Sequence, residues 1–118
     1  MHVSAIARVE DAMVCTGFNP ARYSRNAKYF AHISDRAQAV RRDGSAALDL
    51  AFVAAGVYDG FWEWDLSAWD VAAGSLMIEE AGGAARAIEG GALDIAAGSI
   101  LATNGTIQNE MTALLGNA

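Results

Sequence analysis

The stretch of sequence that decides the fold spans residues 69–83 and reads WDVAAGSLMIEEAGG. Its apolar side chains recur at the spacing of one helix face, at Ala72, Ala73, Leu76 and Met77. The glycine pair that follows, Gly82-Gly83, is typical of a helix C-terminus. Asp70 stands just before the apolar run, where an aspartate commonly caps a helix by accepting backbone N–H bonds. The stretch therefore predicts a helix over 71–81 that begins just after a carboxylate.

A second informative segment lies upstream and reads RRDGSAALDL over residues 41–50. Asp43-Gly44-Ser45 predicts a turn that ends in a possible N-cap. Residues 46–55 predict a helix that is apolar almost all round, with Asp49 as its only charge. Because its many alanines permit close approach, we expect this helix to be central and buried.

The other predicted elements alternate in type along the chain. Residues 58–64 are rich in aromatic side chains, which favour a strand. The remaining strands are predicted over 12–17, 39–42, 85–88 and 99–104, and helices over 21–38 and 106–115. A turn is predicted at Asn19-Pro20. This alternation is typical of an α/β domain, so we expect a single layered domain with a mostly parallel or mixed sheet and helices on both faces.

Composition excludes several classes of protein. The chain of 118 residues is 53% hydrophobic and 19% charged, as in a packed domain with one core. Its formal net charge of -6 repels nucleic-acid phosphates and anionic lipid headgroups, so we expect neither as a partner. Cys15 is the only cysteine and is expected to be buried and inert. No run approaches the ~20 apolar residues of a membrane span, and the location is predicted to be cytoplasmic.

The two segments over 41–50 and 69–83 together resemble the C-terminal signature of the inositol monophosphatase family. Residues 58–63, YDGFWE, look like the family's connecting strand. Gly17-Phe18 and Ala102-Thr103-Asn104 also stand where the family has comparable residues. The resemblance covers nearly the whole chain. It implies the fold of the C-terminal half of the family and a parent reaction in which Mg²⁺ assists hydrolysis of a phosphomonoester.

The resemblance also implies roles for individual residues. Asp70 matches an aspartate that binds a catalytic metal ion. Gly44, Ser45 and Ala46 match a turn whose backbone donors face the bound sugar phosphate, and Glu63 matches a glutamate that accepts hydrogen bonds from substrate hydroxyls. From the residues alone, plainer interpretations stay open, namely a helix N-cap, an ordinary helix start and a solvated charge at a strand end.

The residues that the family uses to activate water have no counterpart in this sequence. Family members carry in an N-terminal half a glutamate and an Asp-Pro-x-Asp-Gly-Thr segment, whereas the one proline here, Pro20, follows Asn19. Magnesium requires about six oxygen ligands, so Asp70 alone is expected to hold it weakly or not at all. We therefore expect residues 1–118 to be the substrate-binding C-terminal domain of a sugar phosphatase without its N-terminal metal-binding half, with an incomplete catalytic set and no activity alone.

A different class of function remains open at this stage, a non-catalytic oligomeric scaffold from a truncated or rearranged phosphatase gene. Loss of a packed half leaves apolar surface, so we expect a second copy of the chain or a complementary N-terminal half to cover it. A small-molecule sugar phosphate is the expected ligand once the site is completed. The tryptophans are expected to pack in the core, at Trp62, Trp64 and Trp69.

Overall fold

The structure is a computed structural model that describes residues 1–17 and 23–116. The predicted turn at Asn19-Pro20 and the predicted start of the first helix at residue 21 lie outside the described residues.

Strands and helices alternate through the described part of the chain. The strands are β1 (Met13–Thr16), β2 (Ala39–Arg41), β3 (Gly60–Glu63), β4 (Ala84–Arg86) and β5 (Ile100–Thr103). The helices are α1 (Tyr23–Ser34), α2 (Ala46–Ala54), α3 (Ala68–Glu80) and α4 (Gln108–Gly116). Within the described residues, 3-10 turns lie at Val9–Asp11 and Ile95–Ala97.

The strands form a mixed sheet in the order β2-β1-β3-β5-β4. Strands β2, β1 and β3 run parallel, whereas β5 is antiparallel to both of its neighbours. The mixed sheet confirms the predicted fold class. Since β1, β2 and β3 point the same way, their carboxyl ends lie at one edge of the sheet.

Helices cover both faces of this sheet, as predicted. Successive strand residues alternate between the faces, so Cys15 and Phe61 pack toward α2 and α3, whereas Val14 and Trp62 pack toward α1 and α4. The thiol of Cys15 is fully buried, as the sequence predicts. Two hydrophobic cores result, one on each side of a single sheet.

Helices α2 and α3 approach each other closely. An added Cβ at Gly74 of α3 would lie 2.3 Å from Cδ1 of Leu50 on α2. The glycine is therefore the residue that admits the fully buried Leu50 side chain between the two helices. This contact confirms that α2 is closely packed.

Two helix boundaries differ from the predictions for identifiable reasons. Helix α1 ends at Ser34 instead of residue 38, because the backbone N–H of Gln38 already donates to the carbonyl of Ala12 as the chain enters β2. Helix α3 begins at Ala68 instead of residue 71, because Ser67 supplies the cap. Among the described helices, none combines the length and the apolar character needed to cross a bilayer.

Candidate functional site

The candidate site lies at the sheet edge where the parallel strands end. Strand β1 leads into Gly17, β2 leads into the turn 43–45, and β3 ends at Glu63. Helices α2 and α3 begin soon after β2 and β3, so their N-termini lie at this same edge. In α/β sheets, ligands commonly bind outside the carboxyl ends of the strands. We call this region the strand-end edge.

The turn before α2 has the local structure that the sequence predicts. Gly44 adopts a left-handed conformation with φ of 87°, and an added Cβ there would meet open space. Ser45 is the N-cap, and its side chain accepts a hydrogen bond from the backbone N–H of Leu48 at 3.3 Å. Ala46 is the first helical residue and is half-buried. The exposed turn thus leads into a positive helix end, which favours anionic ligands.

Glu63 folds back over the end of the neighbouring strand. An added Cβ at Gly17 would lie only 1.7 Å from Oε1 of Glu63, so the carboxylate occupies the space that a side chain at position 17 would fill. The Glu63 side chain is half-buried, which argues against the plainer interpretation of a solvated charge at a strand end. Gly17 is therefore the residue that leaves room for the Glu63 carboxylate.

Asp70 is not the N-cap of α3. The helix begins at Ala68, and the Ser67 side chain accepts the hydrogen bond from the backbone N–H of Asp70 at 3.3 Å. Asp70 is the third residue of the helix and is half-buried. Its position leaves the cap to Ser67, so the carboxylate is available for another partner at the strand-end edge.

The carboxylates of this edge influence one another strongly. Burial, followed by the negative charges of Asp49, Asp70 and Asp65, raises the pKa of Glu63 to about 7. Burial and the neighbouring Asp43 raise the pKa of Asp49 to about 6. These mutual effects show that the acidic groups from β3, α2 and α3 share one region.

The acidic groups do not form a metal site by themselves. Within residues 1–17 and 23–116, no group of three or more His, Cys, Asp or Glu side chains could hold a metal ion. Asp70 offers one carboxylate, whereas Mg²⁺ requires near-octahedral coordination by about six oxygens. The residues described here therefore do not fit magnesium without ligands from elsewhere.

Three residues that shape this edge, Asn26, Asp49 and Tyr58, were not among the predicted site residues. Asn26 of α1 accepts a hydrogen bond from Nε1 of Trp62 and donates to Oγ1 of Thr16 and to the carbonyl of Gly17, which fixes the end of β1. Tyr58 donates a hydrogen bond to Oδ2 of Asp43 in the turn before α2, and the buried Asp49 acts on Glu63 through its charge. The available signal was Asp49, the lone charge in an otherwise apolar helix.

One prediction about the aromatic residues is wrong in part. Trp62 is fully buried in the core, and Trp64 stacks on Tyr29 with ring centroids 5.0 Å apart. Trp69, however, is 86% exposed, because it lies on the outer side of the first turn of α3.

Comparison with known proteins agrees with this architecture. The sequence model described as "Inositol monophosphatase family" matches residues 3–117. An inositol-1-monophosphatase of Rhizobium meliloti is 42% identical over 118 residues, which cover 98% of this chain and 44% of that protein. A Nus factor SuhB of Pseudomonas aeruginosa is 40% identical over 110 residues, covering 88% of this chain and 40% of that protein.

Solved structures give the same result. The inositol monophosphatase of Anabaena superposes with a TM-score of 0.96 at 43% identity, covering all of this chain and 48% of that one. The chain thus spans a little under half the length of the relatives that it matches. The match over nearly every residue, in sequence and in three dimensions, shows that the chain belongs to the inositol monophosphatase family.

Proposed function

We propose that this chain is the substrate-binding half of a Mg²⁺-dependent phosphomonoesterase that acts on inositol monophosphate or a related sugar phosphate, and that it is inactive alone. The observation that carries the proposal is the convergence of the α2 turn, Glu63 and Asp70 at the strand-end edge. The α2 turn supplies backbone donors for a phosphate, Glu63 supplies an acceptor for sugar hydroxyls, and Asp70 supplies a carboxylate for the metal counterion.

Each group has a task that its chemistry supports. The turn at Gly44, Ser45 and Ala46 presents the positive end of α2 to the anionic ligand. The Glu63 carboxylate, held over Gly17, accepts hydrogen bonds from sugar hydroxyls. Asp70 contributes one metal ligand, and the remaining ligands come from outside the described residues.

The decisive experiment is phosphate release from inositol monophosphate, measured with Mg²⁺ and then with a chelator. We expect no release by the chain alone. We expect chelator-sensitive release when the chain is mixed with the remaining, N-terminal part of the Rhizobium meliloti relative, produced as a separate polypeptide. Turnover by the isolated, folded chain would contradict the proposed inactivity, and failure of a demonstrably formed complex would contradict the proposed role.

Matched variants make this experiment specific. Glu63→Gln keeps the shape of the side chain and removes its charge, so we expect weaker substrate binding by the mixture. Glu79→Gln makes the same chemical change on the exposed side of α3 and should leave release unchanged. Equal effects of the two variants would exclude a specific role for Glu63.

A non-catalytic oligomer is the second candidate, and one observation favours it. Three large apolar side chains on α2 and α3 are strongly exposed: Leu48 at 48%, Leu76 at 61% and Trp69 at 86%. Exposed apolar groups of this size on neighbouring helices are typical of an association surface. We call this surface the outer α2–α3 face.

A further inference from the structure

Three buried, uncharged side chains join the end of β1 to the end of β3. Thr16 and Trp62 are register partners on these strands and are fully buried, and Asn26 of α1 is only 3% exposed. The Asn26 amide accepts a hydrogen bond from Nε1 of Trp62 at 2.8 Å and donates one to Oγ1 of Thr16 at 3.0 Å. Each polar side-chain atom of the three thus has a partner, as buried polar groups require. We call this set the Thr16–Asn26–Trp62 network.

The network also holds two backbone carbonyl groups at the strand-end edge. The Asn26 amide donates to the carbonyl of Gly17 at 2.8 Å, and the Thr16 hydroxyl donates to the carbonyl of Trp62. The second of these carbonyls belongs to the peptide group that leads into Glu63. The network therefore fixes the backbone at Gly17 and directly before Glu63, which are the two residues that meet at this edge.

The network and the Glu63 side chain lie on opposite faces of the sheet. Trp62 packs toward α1 and α4, and Thr16 bonds to Asn26 of α1 on this same side. Because side chains alternate along a strand, Glu63 lies with Phe61 on the face that packs toward α2 and α3. A ligand at Glu63 therefore does not touch the network, so the network can act on the ligand only through the backbone.

We propose that the Thr16–Asn26–Trp62 network positions the Glu63 carboxylate over Gly17, where it accepts hydrogen bonds from the ligand. The contact is close, since Oε1 of Glu63 lies 1.7 Å from the position of an added Cβ at Gly17, so a small shift of either strand end moves the carboxylate. A fully satisfied buried network resists such a shift, because breaking one of its bonds leaves a polar group unpaired. The three members are thus positioning residues, and the identity of the ligand rests on the proposed function.

Thr16→Val tests this role, because it keeps the shape of the side chain and removes both the donor to Trp62 and the acceptor for Asn26. The measurement on the folded chain is the nuclear Overhauser effect between the γ-protons of Glu63 and the α-protons of Gly17. We expect Thr16→Val to lose this effect and Thr16→Ser, which keeps the hydroxyl, to retain it. In the mixture with the N-terminal part of the Rhizobium meliloti relative, Thr16→Val should also weaken binding of inositol monophosphate several-fold.

Thr103→Val is the matched control. Thr103 is also fully buried and hydrogen-bonded, but it pairs with Gly60 at the opposite end of β3, so its loss should lower stability and leave the Overhauser effect and binding unchanged. An intact effect in Thr16→Val, or an equal loss in Thr103→Val, would overturn the proposal. If Thr16→Val does not fold, Asn26→Ser replaces it, because its shorter side chain cannot reach the Gly17 carbonyl, and an intact effect there would also overturn the proposal. The Overhauser effect requires no phosphatase activity, so its failure is distinct from failure of the proposed function.

Discussion

Gly17 and Glu63 form a pair in which the absence of one side chain sets the place of the other. The glycine has an ordinary backbone conformation, so its requirement comes from space and not from φ. The carboxylate that fills this space is the one that we propose accepts hydrogen bonds from substrate hydroxyls. A glycine of the strand-end edge therefore decides where the Glu63 carboxylate lies.

Gly17→Ala tests this pair. The new methyl group would occupy the position of Oε1, and the Glu63 side chain would swing away because the contact involves its flexible end. We measure binding with the mixture of this chain and the N-terminal part of the Rhizobium meliloti relative. We expect the affinity of this mixture for inositol monophosphate to fall at least about tenfold, as for loss of a charged hydrogen bond. Isothermal titration calorimetry measures this change.

Gly91→Ala is the control, because an added Cβ at position 91 meets nothing within 4 Å. Its affinity should equal that of the parent. If Gly17→Ala binds as tightly as Gly91→Ala, the placement of Glu63 over Gly17 does not matter for the ligand.

At the scale of elements, the contact between α2 and α3 is less tolerant than the contact at Gly17. Leu50 presents not only its Cδ1 to Gly74 but also its Cβ, at 3.2 Å from the position of an added methyl group. A Cβ is close to the backbone and cannot rotate away, so a side chain at 74 forces the helices apart. Gly17 thus sets the place of a side chain, whereas Gly74 sets the distance between two helices.

Gly74→Ala should lower the free energy of unfolding by about 1–3 kcal/mol, the usual cost of overpacking a core. The gain in helix propensity on replacing glycine, about 1 kcal/mol, offsets part of this loss. Urea unfolding followed by circular dichroism gives the value. Gly116→Ala in α4, where an added Cβ has open space, should be neutral or stabilising. A Gly74→Ala protein as stable as Gly116→Ala would show that the helices separate freely.

The sequence predicts the alternation of strands and helices and the type of sheet, because both depend on periodicity. It also predicts the family, because the motif over residues 69–83 is long and specific. The start of α3 was not predictable, because Asp70 and Ser67 are both good N-caps and only the three-dimensional structure selects Ser67. The contact of Glu63 with Gly17 was also beyond prediction, since it joins adjacent strands 46 residues apart in a register that the sequence does not specify.

At the scale of the whole molecule, the raised carboxyl pKa values make an unusual pH dependence of stability. The pKa of Asp49 rises from an ordinary 3.8 to about 6 on folding, so the folded state binds this proton more tightly than the unfolded state. Stability from this group is therefore complete below about pH 4 and is lost as the pH rises through about 6. Glu63 acts in the same direction, up to about pH 7.

We therefore expect the free energy of unfolding to decrease by about 2 kcal/mol between pH 4 and pH 7 from Asp49 alone. Chemical denaturation at several pH values measures this slope. Asp49→Asn should make this slope smaller and leave the part that comes from Glu63, whereas Asp35→Asn, at an exposed aspartate, should leave the slope unchanged. A chain whose stability rises steadily over this interval in both variants would contradict the buried, protonated state of Asp49.

The outer α2–α3 face gives a second prediction at this scale. Sedimentation of the purified chain should show concentration-dependent self-association, because Leu76 and Trp69 expose apolar surface on the same side of α3. Leu76→Gln should weaken this association, and Glu80→Gln, one turn further along the same side, should not. A monomer of 12.3 kDa at all concentrations would contradict self-association through this face.

Trp69 also gives the chain an optical reporter of its own. Its indole lies mostly in water, whereas that of Trp62 is enclosed in the core and that of Trp64 stacks on a tyrosine. Indole fluorescence moves to shorter wavelength when water is removed, and a small quencher in solution reaches only exposed rings. Any molecule that covers the start of α3 would therefore change the emission wavelength and the quenching of Trp69. Assembly at the start of α3 can thus be followed without an added label.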